Sequence, residues 1–197
     1  MMKANITTPV ADVRTIEALR VGDEVYITGV VRTARDMAHA KLKDLDAKGK
    51  QFPYVFDGSV IYHAGPVATK QNGKWVIRSL GPTTSSRMEP YSEFIGGLGA
   101  KILIGKGGMG ADTQAVLKKY KMLYLSALPG CGALGAQVVQ QVLGVNWLDL
   151  GMPEAMWELK VKDWGPLIVT MDCQGGDLHT ALREAAHRHI ETMYPTA

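Results

Sequence analysis

Two short stretches of the chain gather the groups with which proteins bind small anions. Residues 81–88 (GPTTSSRM) place four consecutive hydroxyl side chains before one guanidinium, that of Arg87. Residues 105–110 (GKGGMG) combine glycine-rich backbone with one ammonium, that of Lys106. Each stretch follows an apolar run typical of a strand, and backbone N–H groups, hydroxyls and a cation at such a position suit a carboxylate or a phosphate. We therefore interpret the rest of the chain as the scaffold for these two loops.

Spacing within the first stretch allows a hydroxyl and a cation to act together. Thr83 and Arg87 are four positions apart, so one helical turn would put them on the same face. The threonine hydroxyl would then lie beside a planar guanidinium, which binds carboxylates through two hydrogen bonds. The alternative is a strand, a proline turn and a hydroxyl helix cap, with Arg87 in solvent. Spacing alone leaves both interpretations open.

The second stretch also fits the pattern G-x-G-x-x-G of dinucleotide-binding loops. It lies between a predicted strand, 101–104, and a predicted helix, 111–120. Dinucleotide sites also need an acidic residue about twenty positions further on, for a ribose hydroxyl. The chain has no Asp or Glu from Thr113 to Leu148. Nucleotide binding is thus the minor alternative, and a glycine-rich anion site around Lys106 is preferred.

Composition argues against several classes of protein. The 197 residues carry a net charge of only +3, without a basic stripe, so a nucleic-acid partner is not expected. Cys131 and Cys173 are too few and too far apart for a metal site or a disulfide framework. We therefore expect reduced thiols in a cytoplasmic protein, with no metal ligand in this chain. No apolar run approaches the roughly eighteen residues of a membrane span, so no membrane contact is expected.

The first half of the chain is predicted to contain short strands and one helix. The helix covers 34–47, and its inward face is predicted to contain Met37, Ala40, Leu42 and Leu45. Its first turn carries Arg35, although the helix dipole does not favour a cation there. Residues 71–73 (QNG) predict a hairpin turn.

The second half alternates strands and helices, which is typical of a parallel sheet with crossovers. No linker or repeat divides the chain, so residues 1–197 are interpreted as a single domain. The predicted elements are helix 91–98, strand 101–104, helix 111–120, strand 122–127, helix 133–143, strands 145–150, 158–164 and 167–172, and an amphipathic helix 177–193.

Eight motifs, in order along nearly the whole chain, resemble those of one family. They are TTP (7–9), VGDEVYITG (21–29), ARDMAHAKL (34–42), YHAGPV (62–67), GPTTSSRM (81–88), IGKGGMG (104–110), LGMPEAMW (150–157) and GPLIVTMD (165–172). Together they resemble the β subunit of class I, iron–sulfur-dependent fumarate hydratases and of the similar L(+)-tartrate dehydratases. The resemblance implies an α/β fold, a swivelling three-layer β/β/α domain with a mixed sheet and a parallel sheet.

The resemblance further implies a hydro-lyase that adds water reversibly to fumarate. In that family a [4Fe–4S] cluster with one open iron acts on the leaving hydroxyl, and the α portion holds it through three cysteines. This chain has only two cysteines, neither in a cluster motif. The expectation is therefore an α2β2 assembly in which the α subunit binds the cluster and this chain alone is inactive.

Matching the motifs position by position implies roles for five residues. Thr83 corresponds to the base that takes a proton from carbon, and Thr84 and Arg87 correspond to groups that bind a substrate carboxylate. Lys106 and Arg35 correspond to the other cations around the dicarboxylate, with Arg32 as the alternative to Arg35. Neither the spacing nor the resemblance assigns a role to His39 or His63.

Three alternatives to a fumarate hydratase subunit remain at this point. L(+)-tartrate dehydratase is the first, because its substrate differs from malate only by a hydroxyl. The second is a dicarboxylate-binding module without catalysis, and the third is the nucleotide-binding domain. A subunit that closes its site against a partner should expose apolar side chains around loops 81–110.

Overall fold

The fold was analysed in a computed structural model that describes residues 1–193, apart from the side chain of Glu191. The strands are β1 (Lys3–Thr8), β2 (Glu24–Thr33), β3 (Val60–Tyr62), β4 (Val67–Gln71), β5 (Lys74–Ser79), β6 (Ile102–Gly105), β7 (Leu123–Ser126), β8 (Val139–Asn146) and β9 (Met156–Met171). The α-helices are α1 (Arg14–Glu17), α2 (Asp36–Ala47), α3 (Ser92–Gly97), α4 (Ala111–Tyr120), α5 (Gly132–Gln137) and α6 (Leu178–Met193). Short 3-10 helices cover Ser85–Tyr91 and Leu148–Leu150.

The main sheet is mixed and has seven strands in the order β1-β2-β3-β6-β7-β9-β8. The first five strands are parallel to one another, whereas β9 is antiparallel to β2, β7 and β8. The long β9 also pairs with β2, so the ladder β2-β3-β6-β7-β9 closes on itself. The second sheet is the antiparallel pair β4–β5, whose turn at Asn72 and Gly73 has positive φ angles, as the predicted hairpin requires.

These pairings confirm an α/β fold with a mixed sheet, but the separate parallel sheet is wrong for the residues described. The parallel strands are part of the mixed sheet because β9 joins β7 to β2. The three-layer swivelling arrangement stays a prediction.

Other predicted elements need correction. The predicted helix 133–143 ends at Gln137, and β8 begins at Val139. The predicted strand 145–150 is the end of β8 followed by a 3-10 turn. Pairing with β9 decides this, since local propensity is a weak determinant beside a cross-strand partner. The two predicted strands 158–164 and 167–172 form one strand, and Pro166 lies where its register to β2 is interrupted, which is where a strand tolerates proline.

Both faces of the central strands are buried. Ile102 and Ile104 of β6 pack into one apolar cluster with residues of β1, β2 and β9, whereas Leu103 packs into a second cluster beneath α2, α3 and α4. This explains the uninterrupted apolar run of β6, which is typical of a strand covered on both sides.

The inward face of α2 differs from the predicted one. Its buried residues are Ala38, His39 and Leu42, while Met37 and Ala40 are exposed. The helix turns His39 toward the sheet, a placement that an apolar pattern could not show. None of the helices within residues 1–193 has the length and apolarity needed to cross a bilayer.

Gly29 allows β1 to approach β2 closely. It has φ +125°, and a Cβ there would lie 2.5 Å from the Thr8 carbonyl oxygen. We expect Gly29→Ala to lower the free energy of unfolding by about 2–4 kcal/mol, because backbone strain adds to a clash with main-chain atoms. Urea unfolding measures this. Gly22→Ala is the matched control, since Gly22 has φ +94° with no atom within 4 Å of such a Cβ. Equal losses in both variants would contradict the clash.

Candidate active site

Three neighbouring parallel strands end side by side, and a polar residue follows each of them. Arg35 comes after β2, His63 after β3 and Lys106 after β6. The ladders β2–β3 and β3–β6 continue to these ends. Because the carboxyl ends of parallel strands share one edge of a sheet, the three residues lie along one edge, where α/β proteins commonly bind ligands.

Backbone hydrogen bonds attach the hydroxyl-rich segment to this edge. The Thr83 N–H donates to the His63 carbonyl at 2.7 Å, and the Ser85 N–H donates to the Lys106 carbonyl at 3.2 Å. Thr84 forms a parallel bridge with Lys106. The segment thus lies between the extensions of β3 and β6, so tertiary structure joins the two loops that the sequence separates by about twenty residues.

Thr83 and Arg87 are in contact, which is one of the two arrangements that their four-residue spacing left open. Arg87 lies in the 3-10 helix Ser85–Tyr91, and its Nη2 donates to Thr83 Oγ1 at 2.9 Å. The same Nη2 lies 3.1 Å from Asp36 Oδ2, with both side chains partly exposed. Asp36 therefore helps to hold the guanidinium toward the threonine.

Arg35 occupies a more enclosed position at the start of α2. Its Nε lies 3.0 Å from Glu154 Oε1, an ion pair by distance, although the Nε–H makes no well-aligned hydrogen bond. Glu154 also accepts the Met37 N–H at 3.1 Å. A Cβ on Gly65 would lie 2.7 Å from Arg35 Nη1. The ion pair with Glu154 and the space left by Gly65 thus determine the position of the Arg35 guanidinium.

Arg32, the alternative to Arg35, has other partners. Its Nη2 lies 2.7 Å from Glu158 Oε2, and its guanidinium stacks over the Tyr54 ring at 4.9 Å. Arg32 is the penultimate residue of β2, and its guanidinium is already paired with a carboxylate and stacked on an aromatic ring. The assignment of Arg35 rather than Arg32 stays a prediction.

The glycine-rich loop carries Lys106, but not all of its backbone N–H groups are available to bind a ligand. Lys106 is partly buried and has no ion pair among residues 1–193. At the start of α4 the Gly110 and Thr113 N–H groups already donate to Glu89, at 2.9 and 3.1 Å. A carboxylate of the chain itself thus occupies the helix N-terminus where a nucleotide phosphate would bind. This is a structural reason to keep nucleotide binding as the minor alternative.

Two buried histidines lie beneath the site. His39 and His63 are each 1% exposed, and their rings meet edge to face with centroids 5.7 Å apart. His39 Nδ1 lies 2.8 Å from the Arg35 carbonyl oxygen, and His63 Nδ1 lies 2.9 Å from Ser85 Oγ. Burial lowers the pKa of His39 to about 4 and holds the pKa of His63 well below its ordinary value, with His39 adding to the latter effect. Both imidazoles are therefore neutral at neutral pH.

These histidines should make the fold sensitive to acid. In the unfolded chain His39 has its ordinary pKa of 6.5, so between pH 6.5 and about 4 the unfolded state binds more protons than the folded state. The stability is therefore complete above pH 6.5 and falls as the pH is lowered toward 4, by about 2 kcal/mol at pH 5 from His39 alone. Urea unfolding at about pH 7.5 and about pH 5 measures the loss.

A variant pair tests the source of this acid sensitivity. His39→Phe should remove part of the pH dependence, while the exposed control His187→Gln should retain all of it. A pH dependence equal in both variants would show that other groups cause it.

The described residues do not suit an iron–sulfur cluster. Residues 1–193 contain no group of three or more His, Cys, Asp or Glu side chains placed to hold a metal ion. Burial raises the pKa of the Cys173 thiol, which disfavours the thiolate that metals bind. No step of the chemistry is therefore assigned to a cluster held by this chain.

Apolar side chains are exposed on two sides of the site. Leu128, which precedes α5, is 70% exposed, and Leu134 within α5 is 60% exposed. The start of α5 lies against the end of β5, where the Gly132 carbonyl accepts the Leu80 N–H at 2.8 Å. On the other side Met37 is 48% exposed, next to Asp36. Exposed apolar residues thus flank the loops, as predicted. That a partner covers them stays a prediction.

Several residues of the site were not anticipated from the sequence. Asp36 and Glu154 orient the two arginines, and Ser85 contacts His63 from within the hydroxyl run. Asp36 directly follows Arg35 in the chain, but Glu154 lies about 120 residues away and only the fold brings it near. Thr84, by contrast, has its side chain exposed, and its contacts to the site are made by its backbone.

The geometry places the Thr83 hydroxyl beside the Arg87 guanidinium, at the edge of the sheet where Arg35 and Lys106 also lie. Comparison with known proteins identifies the family. Residues 2–182 match the family model described as Fumarase C-terminus, so the chain belongs to that family.

Relatives in this family have the names of hydratases and dehydratases. The chain is 43% identical over 178 residues to the L(+)-tartrate dehydratase subunit beta of Escherichia coli K12, covering 90% of this chain and 87% of the relative. It is 41% identical over 180 residues to the "Putative L(+)-tartrate dehydratase subunit beta" of Methanocaldococcus jannaschii, covering 90% and 92%. It is 42% identical over 173 residues to the "Putative fumarate hydratase class I" of Geobacillus stearothermophilus, covering 87% of this chain but 32% of that longer relative. The predicted family is thus confirmed.

Proposed function

We propose that this chain is the β subunit of a two-subunit hydro-lyase that reversibly hydrates fumarate to (S)-malate. The observation that carries the proposal is the contact between Thr83 and Arg87 at the strand edge that also presents Lys106 and Arg35. One hydroxyl beside a cation, with further cations nearby, suits proton transfer from a carbon that lies between two carboxylates.

Each residue has a defined role in this proposal. Thr83 takes the proton from carbon during dehydration, and its oxygen returns that proton during hydration. A threonine hydroxyl is a weak base, and the adjacent Arg87 guanidinium favours its alkoxide. Thr84 and Arg87 bind one substrate carboxylate, and Lys106 and Arg35 bind the other. Glu154 orients Arg35 from behind, as its ion pair supports.

The partner subunit completes the site. The relatives' names contain "subunit beta", and the matched region is only 32% of the longer fumarate hydratase, which supports a second polypeptide carrying the remaining part. We place the [4Fe–4S] cluster on that α subunit, where it would supply the Lewis acid for the leaving hydroxyl. We further propose a cytoplasmic α2β2 enzyme in which this single-domain chain alone is inactive.

Dehydration of L(+)-tartrate is the second candidate function. The E. coli and M. jannaschii relatives named for that reaction are, like this chain, short β subunits. The cations and Thr83 could act on either diacid, because tartrate has the same carbon skeleton as malate and one more hydroxyl.

Anaerobic co-expression with the candidate iron–sulfur partner tests the proposal. The purified pair is assayed for hydration of fumarate and for dehydration of L(+)-tartrate, with each subunit alone as the control. We expect turnover of fumarate by the pair only, lost on exposure to oxygen. Turnover of tartrate alone would select the second candidate. Binding of fumarate by this chain without turnover in any combination would contradict both and favour a binding module.

A further inference from the structure

A series of buried polar side chains connects the two loops of the site from beneath. His63 Nδ1 lies 2.9 Å from Ser85 Oγ, and the Tyr124 hydroxyl donates to the Gly107 carbonyl at 2.8 Å. Ser85 and Tyr124 are fully buried and His63 is 1% exposed. Polar groups that are buried to this degree are costly unless they are hydrogen-bonded, so their arrangement is strongly constrained.

The phenol of Tyr124 keeps its proton. Burial raises its pKa to about 12, so the hydroxyl can donate to the Gly107 carbonyl at neutral pH. Between His63 Nδ1 and Ser85 Oγ either atom can be the donor, according to the tautomer of the neutral imidazole.

The series begins and ends at the proposed catalytic loops. Ser85 lies two residues from both Thr83 and Arg87, and Gly107 directly follows Lys106. The backbone carbonyl of His63 also accepts the Thr83 N–H at 2.7 Å. His63 therefore contacts the hydroxyl-rich segment twice, once through its main chain and once through its ring.

A glycine provides the space for this arrangement. A Cβ on Gly105, at the end of β6, would overlap Ser85 Oγ and would lie 3.2 Å from the Tyr124 hydroxyl oxygen. No side chain larger than hydrogen fits there while Ser85 keeps its position. The hydroxyl of Ser85 thus fills the gap between β6 and the segment above it.

We propose that His63 is a positioning residue which, through Ser85 and Tyr124, fixes the distance between the Thr83–Arg87 segment and Lys106. Under the proposed function, on which this inference rests, that distance separates the groups that bind the two carboxylates of the diacid. His63 touches neither carboxylate itself. Its effect is on geometry, and a displacement of about 1 Å at a reacting centre can cost on the order of 100-fold in rate.

The test uses the assembled two-subunit enzyme. His63→Phe keeps a ring but removes the hydrogen bond to Ser85, and we expect kcat/KM to fall about 100-fold. His63→Asn keeps a side-chain N–H near the position of Nδ1 and should recover at least about tenfold of that loss. Ser85→Ala removes the same bond from the other side, and combining it with His63→Phe should cost little more than His63→Phe alone.

An inhibitor pair separates positioning from a loss of folding. Succinate has two carboxylates and propionate has one, so altered spacing should weaken inhibition by succinate far more than inhibition by propionate. Ser59→Ala is the matched control, because Ser59 is also a buried serine, 2% exposed, but its hydroxyl has no hydrogen-bond partner among the described residues 1–193. It should leave kcat/KM and both inhibition constants unchanged.

The outcomes are distinguishable. The positioning role would be overturned if Ser85→Ala and His63→Phe had the kcat/KM of the parent. It would also be overturned if His63→Phe and His63→Asn lost equal amounts of kcat/KM, or if inhibition by succinate and by propionate weakened equally. If His63→Phe does not fold, the Ser85→Ala comparison decides alone. Absence of turnover in the parent pair would instead reject the proposed function.

Discussion

Replacing Thr83 by valine is expected to lower kcat of the assembled enzyme by about 100- to 10,000-fold, the usual contribution of a positioned general base. Valine keeps the branched shape of threonine but cannot accept a proton. Because proton transfer occurs in the transition state, KM should change much less than kcat. Steady-state kinetics of fumarate hydration under anaerobic conditions measure both constants.

Two further variants make the result specific to the hydroxyl at position 83. Thr83→Ser retains a hydroxyl and should keep most of the activity that Thr83→Val loses. Thr69→Val is the matched control, since Thr69 also accepts a hydrogen bond from an arginine, Arg78 Nε at 2.9 Å, but on the exposed β4–β5 hairpin. Turnover of Thr83→Val within a few fold of the parent would assign the base to another residue.

Replacing Arg87 by alanine is expected to lower kcat/KM by about 100- to 1,000-fold, or about 3–4 kcal/mol of transition-state stabilisation. Two losses combine in this variant. The guanidinium that donates to Thr83 Oγ1 disappears, so the alkoxide is less favoured, and one group that binds a substrate carboxylate is removed. We therefore expect kcat to fall and KM to rise, whereas the Thr83 variant changes mainly kcat.

The chain offers a control for Arg87 as well. Arg78→Ala removes an exposed arginine that donates to a threonine away from the strand edge, and it should leave both constants unchanged. Arg87→Lys keeps the charge but not the planar donor geometry, so we expect only partial recovery. Full activity of Arg87→Lys would mean that charge alone is required, and full activity of Arg87→Ala would remove Arg87 from the mechanism.

Asp36 helps to orient Arg87. Its carboxylate lies 3.1 Å from Arg87 Nη2 and forms an ion pair with the guanidinium that we assign to the substrate. Both side chains are partly exposed, so this ion pair contributes little to stability. A substrate carboxylate can therefore compete for the guanidinium at small cost.

The sequence determined the features that depend on neighbours in the chain. The hairpin at Asn72 and Gly73, the strand of β6 and the helix α4 follow from turn chemistry and periodicity. The four-residue spacing of Thr83 and Arg87 permitted their contact, although Thr83 lies before the 3-10 helix that begins at Ser85. Ordered motifs were sufficient to identify the family.

Features set by distant residues were decided only by the tertiary structure. Whether residues 138–143 are helix or strand depends on pairing with β9, and whether the parallel strands form their own sheet depends on β9 reaching β2. Likewise, only the fold brings Arg35 to Glu154 and Arg32 to Glu158, each over 100 residues further on.

His63 shows the physical reason most directly. Its sequence context, a histidine at the end of a short strand, favours a packed or hydrogen-bonded residue over a catalytic one, but it does not show which groups surround the ring. Burial beside His39 makes it neutral, and the approach of Ser85 from a separate loop gives its ring a hydrogen-bond partner. Local sequence limits the conformations of the backbone, but the environment of a side chain is the sum of contacts from many segments, and these exist only in the folded chain.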